Sequence, residues 1–219
     1  MTAADRKIRF VRFRPDDATE VAELRRQRVL CGWGLEKVDL WLKQVQRGVK
    51  NLYWIYVDPQ PPIAEFEPLN LEPTKYGPPP PDPTFAPIGH VSLDWEDYEG
   101  EIELADKERG ILTLATFFIL GSLQGSGLGN LVMREMEKMA ASPELDASVL
   151  TLNTLDGNVG RDPAFWARLG VPYKTRINED WYARLGYTPF RRGVERYPSK
   201  AFDGTEFLAE AVFMSKALK

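Results

Sequence analysis

The chain has 219 residues, a length that fits one domain carrying insertions. Hydrophobic residues make up 43%, enough for a sizeable core, and a net charge of −4 argues against a nucleic-acid binder, which carries a basic surplus. The sole cysteine, Cys31, excludes an internal disulfide framework and a thiolate metal site, and no metal site is expected. Residues 1–7 lack the apolar run of a signal peptide, and no stretch approaches the roughly 20 apolar residues of a membrane span. A cytoplasmic protein with small-molecule partners and no membrane attachment is the expectation.

Residues 8–14 alternate apolar and basic side chains, the pattern of a half-buried strand ended by Pro15. Asp16 or Asp17 then caps a helix reaching about Leu30, whose charge run from Glu23 to Arg28 reads as a solvated face. Gly32-Trp33-Gly34 breaks it. Residues 35–47 form a second helix with Leu35, Val38, Leu42 and Val45 on one face, and residues 51–57 a second strand. Residues 59–87 hold eleven of the seventeen prolines, so they form no helix and no central strand. They read as a proline-rich loop inserted between two strands.

Residues 88–95 resume as a strand, and the apolar, Thr- and Phe-rich residues 111–120 as a buried central one. Residues 130–141 are an amphipathic helix and 148–155 a strand. Residues 156–176 make a long connection with a short helix near Pro163. A helix over 178–185 stops at Gly186, and strands over 187–197 and 207–218 close the chain.

The chemically informative unit is strand, glycine turn, helix. The apolar strand delivers the chain to Gln124-Gly125-Ser126-Gly127-Leu128-Gly129. Glycine accepts positive φ and lets a ligand touch the backbone. The helix that follows offers unpaired amides and a positive dipole end, which together suit a pyrophosphate. A nucleotide P-loop needs Lys and Ser/Thr after its last glycine, where this chain has Asn130-Leu131. A dinucleotide fingerprint needs another glycine spacing near the first strand.

The turn resembles the Q/R-x-x-G-x-G/A signature of the GCN5-related N-acetyltransferases (the GNAT superfamily). Trp181-Tyr182-Ala183-Arg184-Leu185-Gly186-Tyr187 resembles that family's later aromatic-Tyr-x-x-x-Gly-Phe/Tyr stretch, and the order of elements over residues 8–218 is similar. The resemblance implies a single α/β (α+β) domain with a mixed, mostly antiparallel sheet flanked by helices. The proline-rich loop 59–87 and residues 156–176 would be insertions in it. It implies acetyl-CoA as cosubstrate and direct transfer of the acetyl group to a primary amine, on a small molecule or a peptide. Gln124, Gly125, Ser126, Gly127, Leu128 and Gly129 would hold the pyrophosphate. Phe118, Ile119 and Leu120 would pair with the pantetheine arm, and Asn153 would flank the cleft. Donors near Ile119 would polarise the thioester carbonyl.

Tyr182 matches the tyrosine that protonates the leaving thiolate. The base would come from Asp94, Glu96, Asp97, Glu101 and Glu103, with Glu96 and Asp94 the first choices at the strand end. His90, the one histidine, is the other candidate, though mid-strand burial or simple exposure is the plainer reading. Trp33 would border the acceptor. Two alternatives stay open: a non-catalytic CoA-binding or protein-interaction module, and an acyltransferase with another donor or acceptor.

Overall fold

The protein is described by a computed structural model covering residues 6–59 and 85–219. It starts with β1 (Lys7–Arg12), α1 (Ala18–Cys31), a 3-10 turn at Leu35–Lys37 and α2 (Val38–Gln46). Next come β2 (Lys50–Asp58), β3 (Gly89–Asp94), β4 (Ile111–Ile119), a 3-10 turn at Gly121–Leu123, α3 (Leu128–Ala140) and β5 (Val149–Leu155). The short helices α4 (Gly157–Gly160), α5 (Pro163–Leu169) and α6 (Asn178–Arg184) precede β6 (Thr188–Lys200) and β7 (Glu206–Ala217). Most of the proline-rich segment, residues 60–84, lies outside the described residues. Among the described residues no helix is long and apolar enough to cross a membrane.

The strands form one seven-stranded sheet in the order β1-β2-β3-β4-β5-β7-β6. Every neighbouring pair is antiparallel except β4–β5. That is the mixed, mostly antiparallel sheet expected. Helices cover both faces. On one, Leu24 of α1 and Val38 and Trp41 of α2 pack with Phe13, Leu52 and Trp54. On the other, Leu128, Val132, Met133 and Met136 of α3 and Tyr182 of α6 pack with Ile55, Leu93, Leu114 and Leu152. The alternation of side chains along each strand supplies both apolar faces.

Helix α1 departs from its expected packing. The Asp17 carboxylate does cap it, accepting from the amides of Thr19 and Glu20 at 3.0 and 3.2 Å, and Gly32 ends it in the left-handed region. Yet the Glu23–Arg28 run is no solvated face: Glu23, Gln27 and Arg28 are buried. They are tolerated because each finds polar partners. Gln27 donates to Glu23 and to the Pro87 carbonyl, and the Arg28 guanidinium donates from Nε to the Trp33 carbonyl at 2.7 Å. A helix with a polar inward face leaves a misleading pattern in the sequence, because periodicity reports hydrophobicity and not burial.

Candidate active site

β4 and β5 run parallel for only three register pairs, Ile111–Val149, Leu112–Leu150 and Thr113–Thr151. β4 then continues to Ile119 and β5 to Leu155 without pairing with each other. The divergence has a local cause. Opposite His90 and Ser92 of β3, β4 places Phe118 and Ala115, so one extra residue is accommodated in β4. Thr116 at this bulge has φ +50°, a genuine outlier for a β-branched residue. A bulge bends and twists the strand that carries it. Meanwhile β7 stays paired to β5 as far as Leu155–Ala211 and holds it on its own course.

The result is a wedge whose β4 wall carries main-chain groups that β5 does not pair. The Leu120 amide donates to the Ile88 carbonyl at 2.9 Å, toward β3. In a pleated strand the preceding residue faces the other edge, so the N–H and C=O of Ile119 face the wedge. The Gln124 side chain donates to that Ile119 carbonyl at 2.7 Å and ties the glycine turn to the wedge mouth.

Gly125 (φ +78°) and Gly127 (φ +86°) adopt the left-handed conformation, and the Ser126 hydroxyl donates back to the Leu123 carbonyl at 2.6 Å. Gly127 is the N-cap of α3, so no side chain caps this helix, and its first turn carries no acidic residue. The first amides bonded back to Gly127 are those of Asn130 and Leu131. Those before them are free to bind an anion. Helix α3 thus begins two residues before its expected start, because a glycine N-cap leaves none of the Ser/Thr/Asp/Asn signals that mark helix starts.

Two aromatic side chains and one cation frame this turn. Trp181 of α6 donates its indole N–H to Asn130 at 2.6 Å and stacks on Phe117 of the bulge, with 6.1 Å between ring centroids. A Cβ on Gly129 would lie 3.1 Å from the Trp181 ring, so a residue without a side chain lets α6 approach α3. Arg176 was not anticipated from the sequence. Its Nη1 lies 2.9 Å from where a Cβ on Gly125 would be, and no ion pair or hydrogen bond engages it among the described residues. The only sequence signal was a basic residue at the end of the long connection before α6.

That connection, residues 156–176, folds as α4 and α5, whose N-caps Asp156 and Asp162 accept from the amides of Asn158 and Ala164. Its start is held to α6 by Glu179, which accepts from the Gly157 amide at 2.6 Å and pairs with Arg192 of β6. Arg192 and that amide hold the Glu179 carboxyl below the usual glutamate range, against a smaller upward push from burial. A depressed carboxylate pKa stabilises the fold above the unfolded value, near pH ~4.3, and that contribution is lost as pH falls through the folded value. Glu179→Gln is therefore expected to cost about 1–2 kcal/mol at pH 7, discounted because Arg192 is partly exposed. The difference should vanish in urea titrations carried out well below pH 4.

Tyr182 is buried on α6, which packs on the β5 wall. Its ring lies 4.6 Å from that of Trp181 and 5.9 Å from that of Tyr187. Burial alone raises its pKa, so it is a neutral phenol at physiological pH. Its hydroxyl makes no hydrogen bond among the described residues.

On the opposite face Asn153 of β5 accepts from the Tyr197 hydroxyl, and the Tyr197 ring meets Trp33 edge-on at 5.8 Å. The α1–α2 connection is thereby brought to the β5 wall.

The candidate bases fall in different settings. Asp94 is buried, bonded to Lys50 Nζ at 2.7 Å and to the Ser92 hydroxyl at 3.0 Å. Burial pushes its carboxyl up while Lys50 opposes the shift. Glu96 is exposed and paired with Arg47. Asp97 is buried against Arg196, and Glu101 and Glu103 both hold Arg191, at 3.0 and 2.9 Å. His90 is fully buried. Its Nδ1 is 2.8 Å from Gln27 Oε1 and its Nε2 3.3 Å from Arg28, and burial with the nearby cations keeps it neutral. Both ring nitrogens are engaged, which removes it from proton abstraction.

Neither a family model nor a curated protein matches the chain. Solved structures do. Over 98% of this chain and 96% of its own, spermidine N-acetyltransferase from Vibrio cholerae, in complex with CoA and spermine, is similar with a TM-score of 0.56 at 10% identity. A putative acetyltransferase of the GNAT family from Desulfovibrio desulfuricans matches over 97% of this chain and 100% of its own, with a TM-score of 0.52 at 14% identity. An aminoglycoside 6'-N-acetyltransferase complexed with coenzyme A matches over 96% and 97%, with a TM-score of 0.54 at 9% identity. The chain has the GNAT fold.

Proposed function

We propose that the protein transfers the acetyl group of acetyl-CoA to a primary amine by direct attack in the β4–β5 wedge. The observation that carries this reading is the wedge itself, which opens beside an uncapped, glycine-built helix start. An anion site alone suits any phosphate. One adjoining a strand edge with free amides suits a phosphate-bearing chain that also has amide groups, which is the chemistry of coenzyme A.

In this reading the amides of Gly125, Gly127, Leu128 and Gly129, with Ser126, bind the pyrophosphate, and Arg176 adds the positive charge that the neutral Gln124 lacks. The pantetheine amides pair with the edge of Phe118, Ile119 and Leu120. The Ile119 N–H donates to the thioester oxygen as negative charge develops there, and a donor so placed contributes about 2.7–4 kcal/mol in the transition state. Asn153 lines the β5 wall. The acceptor enters from the Trp33 side, and residues 156–176 act as an insertion that delivers Arg176. Polyamines and aminoglycosides, the amines named for the structural neighbours, are the first acceptors to test. A lysyl peptide is the third.

Tyr182 protonates the leaving thiolate, for which a neutral, unengaged phenol is the required state. Tyr182→Phe is expected to lower kcat by about 10²-fold while leaving the Kd for coenzyme A within threefold. Thiol release from acetyl-CoA against the three amine classes tests the whole reading. Coenzyme A binding by calorimetry with no turnover on any amine would favour a binding module instead.

A further inference from the structure

We propose that Thr116, Ser92 and Asp94 form a proton relay that takes the amine proton from the wedge into the buried Asp94–Lys50 pair. The inference rests on the acetyl-transfer reading and names the path its base would use.

The chain of contacts is continuous. Thr116 Oγ1 donates to Ser92 Oγ at 2.9 Å, and Ser92 Oγ donates to Asp94 Oδ2 at 3.0 Å. Lys50 Nζ donates to the same Ser92 oxygen at 2.9 Å and to Asp94 Oδ2 at 2.7 Å. An ammonium has only donors. With Lys50 and Thr116 both donating to Ser92, the Ser92 proton is turned outward to an acceptor. Asp94 is the nearer of its two acceptors, the Ala115 carbonyl lying at 3.3 Å. The relay is therefore polarised in one direction, from bulge to carboxylate.

Both ends suit the task. Thr116 is half-buried, three residues beyond the last β4–β5 pair, while Ser92 and Asp94 are buried. A β-branched residue held at φ +50° is a strained choice for a bulge that Gly or Asn would fill at lower cost, and such strain gathers at functional positions. At the far end Asp94 Oδ1 is buried with no hydrogen-bond partner among the described residues. The same is true of Thr113 Oγ1 at its register partner on β4. An under-bonded carboxylate favours accepting a proton.

The charged surroundings are defined. Lys50 comes from β2 and Arg28 from α1, while α2 turns the Trp41 ring toward Lys50 at 5.1 Å. Asp97, itself paired with Arg196, lies beyond β3, and His90 on β3 stays neutral.

The step balances. The amine nitrogen forms a bond to the thioester carbon, and the C–S bond breaks with its electron pair going to the thiolate. The N–H proton passes to Thr116 Oγ1 as the Thr116 proton moves to Ser92 and the Ser92 proton to Asp94, which ends as the neutral acid. After product leaves, the same hydroxyls return that proton to solvent.

The test uses the full chain, acetyl-CoA and whichever of the three amine classes it turns over fastest. Thr116→Val and Ser92→Ala should each lower kcat by about 10²-fold, the lower range for general-base catalysis, with the Kd for coenzyme A unchanged. Thr116→Ser, which keeps the hydroxyl, should stay within threefold of wild type. In Ser92→Ala the step assigned to Asp94 should disappear from the acid limb of the kcat/KM profile, leaving only the rise that follows deprotonation of the attacking amine. A Thr116→Val variant with wild-type rate and wild-type pH profile overturns the relay alone. Thr116→Ser losing as much as Thr116→Val would mark a packing role and overturn it too. Wild type inert toward all three amines would overturn the acetyl-transfer reading, and the relay with it.

Discussion

Gly125→Val is expected to raise the Kd for coenzyme A by about 100-fold. Two effects add. At φ +78° an L-residue pays about 1–2 kcal/mol, so the turn relaxes away from the conformation that, in the proposed reading, aims its amides at the pyrophosphate. The new Cβ would also sit 2.9 Å from Arg176 Nη1, so the guanidinium must move, and the valine methyls occupy the space beside the turn that it now fills. Losing a charge-assisted hydrogen bond costs about 1.5–3 kcal/mol, and each 1.4 kcal/mol is about tenfold in affinity. Gly100→Val separates strain from binding. Gly100 has φ +80° with open space around its Cβ position, so that variant meets the same backbone penalty away from the turn. Calorimetric titration with coenzyme A should show a large loss for Gly125→Val and none for Gly100→Val. Equal affinities in the two would remove the turn from the donor site.

The second large effect concerns stability. Lys50→Ala is expected to cost about 3–5 kcal/mol, because it strands the Asp94 carboxylate in the core without its cation. For a chain of this size that lowers Tm by on the order of 10 °C. The double variant Lys50→Met/Asp94→Leu should recover most of the loss, since a buried ion pair exchanges for apolar groups of similar volume at little cost. Urea unfolding at pH 7 measures both. A single-variant loss under about 1 kcal/mol would mean that water reaches the pair. The double variant also supplies a folded protein without the proposed terminal base.

Much of this architecture could be read from residue order. The alternation over residues 8–14, the proline break at 15 and a cap at Asp16 or Asp17 located β1 and α1, and the apolar run 111–120 located β4. The glycine turn and Trp181-Tyr182 were found because backbone freedom and bulky aromatics leave clear marks in a sequence. The bulge that opens the wedge was not legible. Nothing in Leu114-Ala115-Thr116-Phe117 announces a bulge, since Thr is a good strand residue and no glycine marks the spot. The inward face of α1 was hidden because Glu23 and Arg28 look solvated unless their partners Gln27, Trp33 and His90 are already known to be near. Arg176 escaped because its meaning depends on a fold-back that brings residue 176 to residue 125. Asp94 and Glu96 are near neighbours along the chain, and only the three-dimensional setting distinguishes a buried ion pair from a surface one.

The divergence of β4 from β5 also bears on how such a protein changes over generations. The proposed donor grip is made of peptide groups, which every residue type possesses. Mutation can therefore rewrite most side chains along the wedge without erasing the hydrogen-bonding edge. Selection on the donor side then concentrates on a few positions, chiefly the glycines of the turn and the crowded residues of the bulge. The proposed acceptor side, lined by side chains such as Trp33 and Tyr197, would be free to drift toward new amines. Lineages built on this plan would keep one donor while exploring many acceptors, and would lose recognisable sequence kinship long before they lose the shape.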